Sequence, residues 1–124
     1  MKIVDSSAWI EWLDDSHLAD ALHQYISDQS GCALPTIVQY EVYKWLEREL
    51  GESAARAFIA MTLPYRVIPL STSIAVEAAE IGKQHRLAMA DAIIYATALH
   101  VDAHLVTCDA HFAGLDNVTY LPKR

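Results

Sequence analysis

The sequence predicts an α/β fold, with a mostly parallel central sheet covered by helices on both faces. Short apolar runs of strand type alternate with longer segments of helical periodicity from end to end. The segments between successive strands carry helices, as crossovers between parallel neighbours require. No internal repeat, low-complexity tract or polar linker interrupts the alternation, so residues 1–124 are expected to form a single domain.

The elements follow in order. Lys2–Val4 is a short strand ending at Asp5. Ser6 or Ser7 is placed to cap a short helix carrying Trp9, Ile10, Trp12 and Leu13. A second helix is expected from about Ser16 to Ser27, with Leu18, Leu22, Tyr25 and Ile26 at helical spacing and a solvated outer face. Cys32–Leu34 is a brief strand stopped by Pro35. Thr36-Ile37-Val38-Gln39 has the form of a capping box, and the helix it opens runs to Leu50, with Gly51 as a left-handed stop. Glu52–Met61 reads as a helix, and Tyr65–Leu70 as a strand bounded by prolines. Ser71 to about His85 is amphipathic, with Ile74, Ala75, Ala78, Ile81 and Gly82 on one stripe. Met89–Leu99 is a helix of small residues suited to close packing. His104–Thr107 is a strand ending before Asp109, and Val118–Leu121 adds a last one.

Composition narrows the function. The chain is 53% hydrophobic and 20% charged, too apolar for disorder. Nine Lys and Arg face sixteen Asp and Glu, for a formal charge of −7. That balance argues against a broad basic surface for nucleic acid or anionic membrane. Apolar runs are too short to span a bilayer, and Asp5 comes too early for a signal peptide. A cytoplasmic protein with Cys32 and Cys108 as reduced, buried thiols is expected.

Four acids stand out. Asp5 and Asp109 follow strands, and Glu41 and Asp91 lie early in helices that begin near the same sheet edge. Ligand sites in such sheets lie beyond the carboxyl ends of the strands. Taken singly, each acid has an ordinary reading as a cap, a turn former or a helix-dipole partner. Taken together, in apolar contexts such as Ile3-Val4-Asp5 and Met89-Ala90-Asp91-Ala92-Ile93, they would repel unless a cation joined them. Oxygen-only donors suit Mg²⁺ or Mn²⁺.

The stretches Ile3-Val4-Asp5-Ser6-Ser7-Ala8, Leu34 to Val42, Ala90 to Ala98 and Leu105 to Phe112 resemble, in order and spacing, the four motifs of the PIN domain. More narrowly, the chain resembles a VapC-type toxin, the ribonuclease half of a type II toxin–antitoxin pair. The resemblance implies a PIN-like α/β/α sandwich and Mg²⁺- or Mn²⁺-dependent endoribonuclease activity. It implies catalytic and metal-binding roles for Asp5, Glu41, Asp91 and Asp109, supported by the hydroxyls of Ser6 and Thr107. It further implies a homodimer, a VapB-type antitoxin partner and an RNA substrate, and the charge balance and short apolar runs imply no membrane partner. Two departures concern RNA: Cys108 stands where relatives often carry a basic residue, and Glu41 is flanked by aromatics. With so few cations, a small, metal-centred RNA contact is expected.

Competing readings are a catalytically idle PIN-like binding module and a receiver-type signalling domain. The receiver lacks its acidic pair after the first strand and its late lysine. A zinc site from His100, His104, Cys108 and His111 lacks paired-cysteine spacing, and its HxxxH pair straddles a helix end and a strand. Among Trp9, Trp12, Tyr40, Tyr43 and Trp45, most are expected in the core. Any surplus would serve a partner groove or dimer face, or stack on bases.

Overall fold

Five short apolar segments form one sheet in the computed structural model, which describes residues 1–123. They are β1 (Lys2–Val4), β2 (Cys32–Pro35), β3 (Arg66–Ile68), β4 (His104–Thr107) and β5 (Val118–Tyr120). Every pairing is parallel and the order is β3-β2-β1-β4-β5. The middle strands are buried, with Ile3, Val4, Leu34, Leu105 and Val106 essentially inaccessible to water. The edge strands β3 and β5 are only half-buried. This gradient is what a sheet covered on both faces requires.

The helices are α1 (Ser6–Leu13), α2 (Ala19–Ile26), α3 (Thr36–Leu50), α4 (Glu52–Thr62), α5 (Thr72–His85) and α6 (Met89–His100). From β1 the chain moves through β2 to β3, then returns across the sheet to β4 on the other side of β1. With right-handed crossovers, helices α1–α4 cover one face and α5–α6 the other. The strand order reverses between β1 and β4, and a crevice opens at their carboxyl ends. Receiver-like sheets run 2-1-3-4-5, so this order removes that reading.

Packing explains several boundaries. Trp9 is fully buried and meets Trp12, Phe58 and Tyr65 edge to face, with centroids 5.8, 5.5 and 5.7 Å away. Its indole N–H is the one buried side-chain donor left without a partner among the described residues. Tyr65, expected in β3, instead enters this cluster and donates its hydroxyl to the Ile26 carbonyl at 2.7 Å. Residues Ala92–Ala98 of α6 are buried on every side. Gly82 permits that depth, because a Cβ there would come within 3.3 Å of the Ala92 Cβ and 3.4 Å of the Leu87 carbonyl.

Three expected caps form differently. Pro35 stays in the sheet, paired with Ile68, and itself becomes the N-cap of α3. Thr36 is therefore already helical, its hydroxyl makes no cap bond, and Gln39 donates to Thr62 Oγ1 at 3.1 Å instead. Gly51 has a positive φ of 96° with ψ of 172°, extended rather than left-handed helical, and serves as both the C-cap of α3 and the N-cap of α4. Asp5 takes the N-cap position of α1, and neither Ser6 nor Ser7 caps it. At α5 the cap forms as expected, Ser71 Oγ accepting from the Ile74 N–H at 3.2 Å. Cys32 and Cys108 are free and buried, and burial pushes both thiols up to about 11. No helix among the described residues is long and apolar enough to cross a membrane.

Trp9→Ala removes the centre of the aromatic cluster. It is expected to destabilise the protein by about 3–5 kcal/mol in urea denaturation. A loss below about 1 kcal/mol would contradict a well-packed cluster.

Candidate active site

Parallel pairing places the site. Val4 is in register with Val106, and the Asp5 N–H extends the ladder to the Val106 carbonyl at 2.8 Å. Asp5 and Thr107 are thereby neighbours across two strands, and Thr107 Oγ1 donates to Asp5 Oδ2 at 2.8 Å. Ser7 Oγ donates to the same oxygen at 2.7 Å and accepts from the Cys108 N–H at 3.1 Å. The Asp109 N–H donates to Thr107 Oγ1 at 3.0 Å. Asp5 Oδ1 accepts from no side chain among the described residues.

Glu41 comes from the second turn of α3 and accepts from Ser6 Oγ at 2.5 Å. Asp91 lies in the first turn of α6, where a helix N-terminus favours negative charge. Asp109 caps the turn Ala110–Phe112, its Oδ1 accepting from the His111 N–H at 2.9 Å. Thus Asp5, Glu41, Asp91 and Asp109 line one cleft of about 420 Å³, with Ser6 on its wall. Thr107 is fully buried beneath it and reaches the cleft only through its hydrogen bond to Asp5.

The electrostatics are strained. Asp5 is only 2% exposed, and burial raises its pKa above the ordinary carboxylate value. The hydrogen bonds from Ser7 and Thr107 oppose that rise, and the nearby Glu41 charge adds to it. Burial likewise raises Asp91, to about 6, reinforced by Asp109, Asp5 and Glu41 and opposed by His111. Asp91, Asp109 and His111 bring ligand atoms within 4.8 Å of one another, and Asp5 and Glu41 add carboxylates to the same cleft, so the residues present fit a divalent cation such as Mg²⁺ or Mn²⁺.

Sequence reasoning missed several residues here. His111, weighed only for a zinc site, instead joins the acids, its Nδ1 2.8 Å from Asp109 Oδ1 and 4.0 Å from Asp91 Oδ2. His104 turns elsewhere and pairs with Thr119 Oγ1 at 2.7 Å. Ser7 supports Asp5, a role its position beside Ser6 did not suggest. Lys44, Arg48 and Lys123 also line the cleft. The spacing of Lys44 and Arg48 from Glu41, three and seven residues on, was the available signal, since it puts them on one helix face.

In chelator, the raised pKa values have a definite sign. Below about pH 3.8 Asp91 is protonated whether folded or unfolded, and its contribution to stability is intact. As pH rises towards about 6 the unfolded chain ionises first, and that stability is lost. Asp91→Asn should therefore melt higher than wild type at pH 7.5, by about 3–6 °C, with little difference near pH 4. Equal melting at both pH values would show that the acids are not in electrostatic conflict.

The sequence matches the family model described as PIN domain over residues 2–118. No curated protein sequence matches the chain. The fold is similar to that of a chain in a toxin–antitoxin complex from Klebsiella pneumoniae, at 23% identity, TM-score 0.81 and 96% of each chain covered. It is similar to Mycobacterium tuberculosis VapC20, a Sarcin-Ricin loop cleaving toxin, at 18% identity and TM-score 0.75, covering 94% of this chain and 95% of that one. It is also similar to a chain of DNA-bound VapBC from Salmonella typhimurium, at 13% identity and TM-score 0.74, with both chains fully covered.

Proposed function

The chain belongs to the PIN-domain family, and we propose that it is a metal-dependent endoribonuclease, the toxin of a VapBC-type toxin–antitoxin pair. The observation that carries this reading is the meeting of Asp5, Glu41, Asp91 and Asp109 in one cleft. Each comes from a different one of the four motifs, and all meet where the strand order reverses. The similar folds of VapC20 and of chains from toxin–antitoxin complexes support it. A catalytically idle binding module would have no use for four acids held in mutual repulsion.

Asp5, Glu41, Asp91 and Asp109 would hold Mg²⁺ or Mn²⁺. The ion, when bound, supplies a more acidic water and offsets charge on the phosphodiester. The chain supplies orientation. Thr107 and Ser7 hold Asp5 through Oδ2, and Ser6 holds Glu41 through Oε1. Asp91 or Asp109 would orient or deprotonate the attacking water. Attack in line on phosphorus breaks the bond to the 3′-oxygen, leaving a 3′-hydroxyl and a 5′-phosphate. The acidic cleft also suits an Arg or Lys inserted by a VapB-type antitoxin. Such a toxin acts in the cytoplasm, and a homodimer is its proposed form.

Asp5→Asn and Asp91→Asn should each lower cleavage of an oligoribonucleotide in Mg²⁺ about 100-fold or more. EDTA should stop the wild-type reaction, and Mg²⁺ or Mn²⁺ should restore it. End-labelling should find a 5′-phosphate on the downstream product. Full activity of both variants would reject the assignment.

A further inference from the structure

The cations on the cleft wall are few but not scattered. Tyr40, Lys44 and Arg48 follow one another at four-residue intervals on α3, and all three line the cleft that holds the acids. Each interval turns the helix slightly more than once and advances about 6 Å, so the three form one stripe running away from Glu41. Tyr40 is 59% exposed, whereas Trp9, Trp12, Tyr43 and Trp45 are buried in or packed against the core. The Lys44 ammonium lies 5.8 Å from the Tyr40 ring centroid. Lys44 has no carboxylate partner among the described residues, and Arg48 meets only its exposed neighbour Glu49, at 3.3 Å. Lys2 and Arg56, by contrast, are tied to Asp28 and Glu52 at 2.8 and 2.7 Å.

We propose that Tyr40, Lys44 and Arg48 form a track that seats single-stranded RNA beside the acidic site, a base stacking on Tyr40 and successive phosphates meeting Lys44 and Arg48. The track presupposes the ribonuclease reading above. Stacking on an exposed ring is tolerant of base identity, because every base has a π-face. Two cations on one helix face offset the repulsion that the carboxylates exert on an approaching phosphate. The overall deficit of Lys and Arg is thus compatible with RNA, since the contact needs only a short local stripe.

The test uses the full chain and a labelled single-stranded oligoribonucleotide. Binding is read by anisotropy in EDTA across a salt series, and cleavage is read in Mg²⁺. Tyr40→Ala should weaken binding and raise KM about tenfold, with kcat within about twofold, and Tyr40→Phe should restore both. Lys44→Gln with Arg48→Gln should reduce the slope of log affinity against log salt by about 1.4, from two lost phosphate contacts on a single strand. Lys83→Gln, on α5, should change nothing. All four side chains are exposed, so melting should be unaltered. Wild-type KM, affinity and salt slope in the Tyr40→Ala and double variants would overturn the track while leaving the nuclease standing. A wild-type protein that neither binds nor cleaves RNA would overturn both.

Discussion

The parallel pairing of β1 with β4 is the constraint on which the rest of the molecule depends. It brings two segments 102 residues apart into register, Val4 against Val106, so that the residues just beyond them face each other. The Thr107–Asp5 hydrogen bond closes that meeting point. The crossovers on either side of it depart to opposite faces, and a cleft opens beyond the strand ends there. The opening takes one acid from each strand end, a third from α3 and a fourth from α6.

The site is built against its own electrostatics. Burial and mutual repulsion raise Asp5 and Asp91, and three hydroxyls, from Ser6, Ser7 and Thr107, hold the carboxylates in place. Both serines stand in the first turn of α1, just inside its N-cap Asp5. Their hydroxyls donate to the carboxylates of Glu41 and Asp5. Charge of opposite sign is kept on the rim, at Lys44, Arg48 and Lys123, rather than among the acids. Cations between the carboxylates would relieve the repulsion and weaken the fit to a divalent ion.

Much of the fold was legible because it rests on local patterns. Strand and helix order, the Ser71 cap and the small-residue character of α6 follow from periodicity and turn chemistry over a few residues. The misread details are those in which a distant contact competes with a local one. Gln39 has a helix N-terminus within reach, yet it bonds Thr62 at the end of α4. Tyr65 belongs by propensity to β3, but its ring completes the Trp9 cluster and its hydroxyl reaches Ile26. Of the aromatic set, only Tyr40 is left exposed, and no local pattern separates it from Tyr43 three residues on.

The sequence by itself determined which chemical groups are available: four acids in apolar settings, placed after strands or at helix starts, and very few cations. Those facts depend on residue type and on positions within single elements, which a linear chain displays directly. Only the tertiary structure decided that the acids share a cleft, that Ser7 and His111 join them and that three of the scarce cations line its wall. Strand order and register settle such matters through pairing across long sequence separations. The net charge of −7 is therefore silent on local surface, and only the fold sets Lys44 and Arg48 on the same cleft wall as the acids.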